Sequence, residues 1–263
     1  MDRLGLALRG KSLDRALNSS NGDAAALEFR DVSYRIGGNL ILEHLSFRVE
    51  PGRTLVLLGR SGSGKTTALK MLNGLLFPSG GQVLIEDRAT TDWNLIQLRR
   101  SIGYVIQEVG LFPHFTIGEN IGLVPRLNGW PANRISARVA ELLHQVGLEP
   151  AKFIDRYPSQ LSGGQRQRVG VARALAAEPK LLLFDEPFGA LDPVTRVELQ
   201  DQFLELRDRL RKTTIFVTHD VREALRLGTE IGLLCHGRLE VLTTPAEFVK
   251  SSGPEACAFM STL

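Results

Sequence analysis

The residues with the clearest chemistry form a glycine-rich segment at 59–66, which reads GRSGSGKT. It follows the apolar run TLVLL at 54–58 and precedes apolar residues at helical spacing that end at Leu75, the context of a phosphate-binding loop between a strand and a helix. Backbone N–H groups of such a loop point at phosphate oxygens, Lys65 supplies a positive charge, and the Thr66 hydroxyl can ligate Mg²⁺. We expect phosphate contacts from the loop and the next residue: Gly59, Arg60, Ser61, Gly62, Ser63, Gly64, Lys65, Thr66 and Thr67.

A second apolar run, LLLF at 181–184, ends in two adjacent carboxylates. The carboxyl ends of strands are where α/β sheets bind ligands. We expect Asp185 to hold Mg²⁺ through its water shell and Glu186 to accept the proton of an attacking water. Taken alone, the stretch fits a strand end with solvated acids better, but the phosphate loop upstream favours the catalytic interpretation.

Two more polar residues end apolar stretches. Gln107 follows YVI at 104–106, and His219 follows TIFVT at 214–218. A neutral amide at 107 can contact both Mg²⁺ and the nucleophilic water without competing as a strong ligand. Alone, each is typical of an ordinary polar residue at the end of a strand. Their order in the chain makes them candidates for catalysis.

The stretch LSGGQRQRVGVARAL at 161–175 resembles half of another anion site. A hydroxyl and bare backbone N–H groups at the N-terminus of a helix suit phosphate. A complete phosphate loop lies upstream, so the question is whose phosphate this segment contacts. The residues that would do so are Ser162, Gly163, Gly164 and Gln165.

The composition disfavours several classes of protein. The chain has 263 residues, a formal charge of +3 and a pI near 9, and its Lys and Arg are scattered, so we expect a solvated surface and no nucleic-acid partner. Two late cysteines predict neither a disulfide scaffold nor structural zinc. The sequence has no signal peptide and no apolar run of about twenty residues. We therefore expect a soluble intracellular chain that reaches a membrane only through partners.

The elements that must position these residues follow one another along the chain. Residues 1–26 are small and polar and predict a flexible leader. Alternating stretches at 27–88 predict an antiparallel sheet, and apolar residues at helical spacing predict a mainly helical segment at about 88–165. Strand, helix and strand then repeat, which indicates a parallel α/β sheet. A short helix begins at Thr244, and residues 251–263 form a short tail.

These motifs occur in a fixed order that resembles the nucleotide-binding subunit of an ATP-binding cassette (ABC) transporter. The resemblance covers about 27–248 and also includes the stretch GALD, which ends at Asp192. It implies an α/β fold of the ABC ATPase type, a P-loop NTPase (RecA-like) core with an antiparallel β subdomain. The domain would span 27–250, with the helical subdomain of about 88–165 inserted. The implied ligands are ATP and magnesium, the latter held by Thr66, Gln107 and Asp185, with Glu186, His219 and Gln107 in catalysis.

The resemblance also implies how the LSGGQ segment acts. In similar subunits it closes over the γ-phosphate bound by a second copy, so that two ATPs lie between head-to-tail protomers. Asp192 would lie at this interface and couple the two sites. Further implied partners are transmembrane permease subunits and, through them, an extracytoplasmic substrate-binding protein. The subunit would sit peripherally on the cytoplasmic face of the inner membrane.

One position departs from the family pattern. Similar subunits stack adenine on an aromatic residue just before the glycine that ends the first strand, and that place here is Ile36. Tyr34 lies two residues earlier and shares its strand face if the segment stays extended. Either Tyr34 takes over, or adenine rests on an aliphatic side chain.

A narrower resemblance points to the transported solute. The Leu-Phe-Pro-His stretch and the Glu-Asn-Ile…Val-Pro helix within 111–125 resemble those of importers for quaternary-amine osmoprotectants such as glycine betaine, choline and carnitine. An importer for another small organic solute or lipid is the first alternative, and a soluble ABC ATPase without transport is the second. Some relatives carry a paired regulatory domain after the cassette, and we expect none here, because the sequence leaves no room for one after the last predicted helix.

Overall fold

The computed structural model describes residues 25–107, 109–189 and 191–263. The predicted leader at 1–26 therefore lies almost entirely outside the described residues. The chain divides into two compact units, one of 25–95 with Thr213–Leu263 and the other of Ile96–Lys212. They are called the first unit and the second unit below. No helix in the described ranges combines the length and apolar character needed to cross a bilayer.

The first unit contains the antiparallel sheet expected from the alternating stretches at 27–88. Its strands lie in the order β2-β1-β4-β5. Phe29 and Phe47 stack across β1 and β2 with ring centroids 4.5 Å apart. These strands are β1 (Leu27–Ile36), β2 (Asn39–Val49), β4 (Gly80–Ile85) and β5 (Arg88–Ala89).

A second group of strands in the first unit is largely parallel. β3 lies between β8 and β9 and is parallel to both, and β10 runs antiparallel to β9. Every residue of β3 is buried, as predicted for the apolar run TLVLL. The strands are β3 (Thr54–Leu58), β8 (Thr213–Thr218), β9 (Glu230–Cys235) and β10 (Arg238–Thr243).

Four helices complete the first unit. Thr244 caps the third of them in a capping box with Glu247, as predicted. The fourth lies in the stretch predicted to be a tail, where the sequence gives no strong helical pattern. The prediction that the helix after the glycine-rich loop reaches Leu75 is wrong, because it ends at Leu72 and Gly74 turns the chain with φ of 64°. The helices are α1 (Lys65–Leu72), α8 (Val221–Leu227), α9 (Pro245–Phe248) and α10 (Pro254–Met260).

The second unit is mainly helical around one parallel strand pair. β6 pairs with β7 in parallel register, and Val139, Leu142 and Leu143 form the buried face of α4. Helix α3 packs on α4 and α6. The elements are α2 (Leu95–Ser101), β6 (Ile102–Val105), α3 (Ile117–Leu127), α4 (Ala132–Gln145), α5 (Pro150–Phe153), α6 (Gly163–Leu175), β7 (Leu181–Asp185) and α7 (Pro193–Leu210).

One buried amide fixes the loop that leads into α3. The Nδ2 of Asn120 donates to the carbonyls of Phe112, Phe115 and Thr116 at 3.1, 3.1 and 2.9 Å. Its Oδ1 accepts from the backbone N–H of Phe112 at 2.8 Å. Thr116 also caps α3 in a capping box with Glu119. The segment 112–116 is therefore bound to the helix that follows it.

Candidate functional site

The glycine-rich loop joins β3 to α1 in the first unit. The ammonium of Lys65, the first residue of α1, donates to the carbonyl oxygens of Gly59 at 2.7 Å and Arg60 at 2.9 Å. Lys65 is only 4% exposed, so its charge lies inside the loop. A buried ammonium surrounded by backbone groups can bind the oxygens of a phosphate chain.

Two glycines of the loop are required by close contacts. A Cβ on Gly59 would lie 2.4 Å from the carbonyl oxygen of Leu234, and one on Gly64 would lie 2.5 Å from Cδ2 of Leu42. Gly64 also has φ of 102°, a region that side chains disfavour. Between them, Ser63 is buried and its carbonyl accepts from the N–H of Gly237. The loop is thus confined by its neighbours before any ligand binds.

His219 lies just beyond β8 in a turn fixed by hydrogen bonds on both sides. The N–H of Asp220 donates to Oγ1 of Thr218 at 3.0 Å, and that hydroxyl donates to the buried carboxylate of Glu223 at 2.6 Å. Asp220 in turn accepts from the N–H of Arg222 and so caps α8. Glu223 was not foreseen from the sequence, although an acid among the apolar positions of α8 was the available signal.

The paired acids lie at the end of β7 in the second unit. Asp185 is the last residue of the strand and is 8% exposed, and the Oη of Tyr104 lies 3.4 Å from its Oδ2. Burial and the charge of Asp185 raise the pKa of Tyr104, so the phenol stays protonated and donates. Glu186 follows with φ of 45°. The left-handed conformation of Glu186 ends the strand directly after Asp185. The two adjacent acids therefore have different backbone conformations, and only Asp185 belongs to the strand.

Gln107 lies beside the turn that follows Glu186. The N–H of Gly189 donates to the carbonyl of Glu186, and a Cβ on Gly189 would lie 3.9 Å from Nε2 of Gln107. Arg173 of α6 donates to the carbonyls of Val109 and Gly110, which continue the chain after this region. The second unit therefore brings three predicted site residues, at 107, 185 and 186, to one edge of its strand pair.

The LSGGQ segment begins helix α6. Ser162 is the N-cap, its Oγ accepts from the N–H of Gln165 at 3.2 Å, and the Gln165 side chain accepts from the N–H of Ser162 at 3.0 Å. The two side chains satisfy one donor each of the helix end. A Cβ on Gly164 would lie 2.5 Å from Cγ2 of Thr195, so the start of α6 packs directly on the start of α7. Gly163 is the first helical residue.

Asp192 caps α7 beside this segment. Its Oδ1 accepts from the N–H of Thr195 at 3.0 Å. Hydrogen bonds from Thr195 lower the pKa of Asp192, so the carboxylate stays ionised well into acid. The N-termini of two helices thus lie side by side, and the N–H groups at the N-terminus of a helix favour an anion.

The two candidates for adenine contact differ in exposure. Ile36 is 55% exposed and Tyr34 is half-buried. The pairing of β1 with β2 shifts register between Tyr34 and Arg35, so the condition of a regular extended strand is not met. Which of them contacts adenine stays a prediction.

The proposed magnesium ligands have the donor chemistry that this ion prefers. Thr66 offers a hydroxyl from the half-buried first turn of α1, Gln107 an amide oxygen, and Asp185 a carboxylate at a strand end. Hard cations such as Mg²⁺ bind oxygen ligands and keep several waters. Each of the three side chains therefore has an oxygen suited to magnesium, and their joint binding of one ion stays a prediction.

Comparison with known proteins identifies the family. The family model described as ABC transporter matches residues 42–189, more than half of the chain. The chain belongs to this family. Among solved structures, a dimeric ATP-binding cassette in a post-hydrolysis state, bound to ADP and Pi, is 33% identical with a TM-score of 0.74, over 83% of this chain and 98% of that one. The predicted ABC ATPase fold is confirmed.

The chain is also similar to curated proteins that are named for the import of osmoprotectants. The osmoprotectant import ATP-binding protein OsmV of Salmonella typhimurium is 49% identical over 214 residues, 81% of this chain and 56% of the relative. The glycine betaine/carnitine/choline transport ATP-binding protein OpuCA of Bacillus subtilis is 47% identical over 219 residues, 83% of this chain and 57% of the relative. The chain thus spans little more than half the length of these relatives.

Proposed function

We propose that this chain is the ATP-hydrolysing subunit of an ABC importer and that it powers uptake of a quaternary-amine osmoprotectant such as glycine betaine, choline or carnitine. The observation that carries the proposal is membership of the ABC transporter family together with close similarity to subunits named for these solutes. The phosphate loop supports it, because a buried ammonium already lies among backbone groups suited to a triphosphate.

The first unit supplies the binding of ATP in this proposal. Residues 59–67 surround the phosphates, and Lys65 exchanges its two carbonyl partners for phosphate oxygens when nucleotide enters. Tyr34 or Ile36 contacts adenine. His219, held by the hydrogen bonds of Thr218 and Asp220, reaches the γ-phosphate from the end of β8.

The second unit supplies the chemistry of hydrolysis. Glu186 accepts the proton of the attacking water, and Gln107 orients that water. Asp185 would hold magnesium through water, with Tyr104 donating to the carboxylate and holding it in position. Bound Mg²⁺ neutralises charge on the β- and γ-phosphates. Thr66 and Gln107 complete its oxygen ligands.

We further propose that the working form is a homodimer that sandwiches two ATPs. The donors that begin α6 and α7 would contact the γ-phosphate held by the second copy, through Ser162 and Gly164, with Gln165 supporting the cap and Asp192 at the interface. Closure then depends on ATP, since ATP already bound by one chain gains the contacts of the second chain only in the dimer.

Permease subunits and a substrate-binding protein complete the proposed import system. The segment 111–120 would contact the permease, because it exposes the Phe112 ring on a loop fixed by Asn120. In this proposal the subunit lies peripherally on the cytoplasmic face of the inner membrane, held by the permease subunits. We keep 27–250 as the ABC domain with its insertion at about 88–165.

The catalytic assignment is tested with Glu186→Gln. We expect ATP to bind and ATP hydrolysis to slow by at least roughly a hundredfold, the usual scale for loss of a general base. Glu141→Gln, which removes an exposed acid on α4, is the matched control and should keep normal turnover. Near-normal hydrolysis by Glu186→Gln would remove that residue from the mechanism.

The transport assignment is tested by copurification and ligand binding. We expect the chain to copurify with a membrane permease, and the binding protein of that permease to bind a quaternary amine in calorimetric titrations. Recovery with ribosomes or DNA would favour a soluble ABC ATPase. A binding protein without affinity for any quaternary amine would exclude the proposed solutes and leave the ATPase assignment intact.

A further inference from the structure

The last helix of the chain contacts the phosphate loop. Glu255, in the first turn of α10, forms an ion pair with the guanidinium Nε of Arg60, the second residue of the loop. Both residues belong to the first unit. The side chain of Glu255 is 20% exposed and that of Arg60 is 70% exposed. The acid is therefore largely buried, and the arginine extends from the loop to reach it.

A second contact fixes the far end of the same helix. Arg222, on the helix that follows His219, donates to the carbonyl oxygens of Thr262 at 3.2 Å and Leu263 at 2.9 Å. Ala256, on the inner face of α10 itself, is fully buried. Because Ala256 packs inside and Arg222 binds the residues that follow the helix, the carboxylate of Glu255 is a fixed anchor for the side chain that reaches it.

Arg60 also joins this anchor to the interior of the loop. Its carbonyl oxygen accepts from Nζ of Lys65 at 2.9 Å and from the N–H of Ser63 at 3.2 Å. Its side chain, in contrast, is engaged by Glu255. One residue therefore connects the acid of α10 to the ammonium proposed to bind phosphate.

We propose that Glu255 is a positioning residue that holds the Arg60 guanidinium away from the nucleotide and so weakens binding of ATP. This inference rests on the proposed function of the phosphate loop. A guanidinium forms the same paired, charge-assisted hydrogen bonds with phosphate as with carboxylate. Glu255 and the phosphates of ATP therefore compete for Arg60, and loss of the acid releases the side chain to the nucleotide.

The test measures the dissociation constant for ATP by titration calorimetry, with EDTA present so that hydrolysis does not proceed. Glu255→Gln should tighten ATP binding about two- to fivefold at low salt, the range expected for one exposed ion pair. The gain should shrink at roughly 0.5 M salt because exposed charges are screened. Glu255→Asp, which keeps the charge, should stay near the original affinity.

A matched control and a second background separate positioning from general charge effects. Glu50→Gln also removes one ion-paired acid, the partner of Arg48. Glu50 lies before β3, at the end of the strand opposite to the phosphate loop, so this variant should not change ATP binding. In an Arg60→Gln background, Glu255→Gln should have no further effect. Thermal unfolding of each variant verifies that the fold is intact.

Two results would overturn the inference. One is an unchanged ATP affinity after Glu255→Gln, and the other is an equal gain with and without Arg60, which would show a charge effect that bypasses this side chain. Failure of the unsubstituted chain to bind ATP is a different result, because it would refute the proposed function itself.

Discussion

We expect Ser162 both to cap α6 and to contact a phosphate of the second copy, and Ser162→Ala compared with a matched capping variant separates the two effects. Its Oγ accepts from the N–H of Gln165 in the described chain, while its hydroxyl proton remains to donate to a phosphate of the second copy. Ser162→Ala removes the cap, which costs about 0.5–2 kcal/mol of unfolding free energy. It also removes one charge-assisted hydrogen bond per site, about 1.5–3 kcal/mol. A symmetric dimer has two sites, so dimerisation should weaken by about 3–6 kcal/mol, roughly a hundred- to ten-thousandfold.

Thr116→Ala is the matched control for this experiment. Thr116 caps α3 with a capping box of the same type, and its Oγ1 accepts from the N–H of Glu119 at 3.2 Å, the same length as at Ser162. Urea unfolding of the isolated chain should show similar losses for both variants. Analytical ultracentrifugation with ATP, in a Glu186→Gln background, should show lost dimerisation for Ser162→Ala alone. Equal dimer affinities for the two variants would refute the role given to the LSGGQ segment.

Two further predictions concern buried charge and a thiol. Arg173→Met removes two hydrogen bonds to the backbone after Gln107, at 2.8 and 2.6 Å, and should lower the unfolding free energy by about 1–3 kcal/mol in urea. Burial, followed by the charges of nearby acids that include Glu255, raises the pKa of Cys235. Its alkylation by iodoacetamide, measured with Cys257→Ser, should therefore keep rising with pH beyond the ordinary thiol value of about 8.5, and Glu255→Gln should move that rise to lower pH. If Glu255→Gln left the pH profile of alkylation unchanged, the charge of Glu255 would have no effect on the pKa of Cys235.

Local sequence was sufficient for the buried strands and for the motifs that follow them. Apart from Thr54, the runs at 54–58 and 181–184 are apolar, which predicts strands buried on both faces, and all residues of both runs are buried. The capping boxes at Ser162 and Thr244 also follow from residues three positions apart. In each case the information lies within a few residues of the element.

Contacts between distant parts of the chain could not be predicted in this way. Arg60 and Glu255 are 195 positions apart, and Tyr104 meets Asp185 only because β6 pairs with β7. Periodicity within a segment contains no information about which distant segment packs against it. The register shift after Tyr34 is a further case, since pairing with a neighbouring strand decides it.

The amide of Asn120 has a mechanical consequence. It ties the backbone of 112–116 to helix α3 through four hydrogen bonds, so this loop has little compliance of its own. A force applied to the exposed ring of Phe112 would therefore move α3 as a rigid body before it deformed the loop. The distance that α3 moves would be set by how far the helix can rotate against α4 and α6, on which it packs.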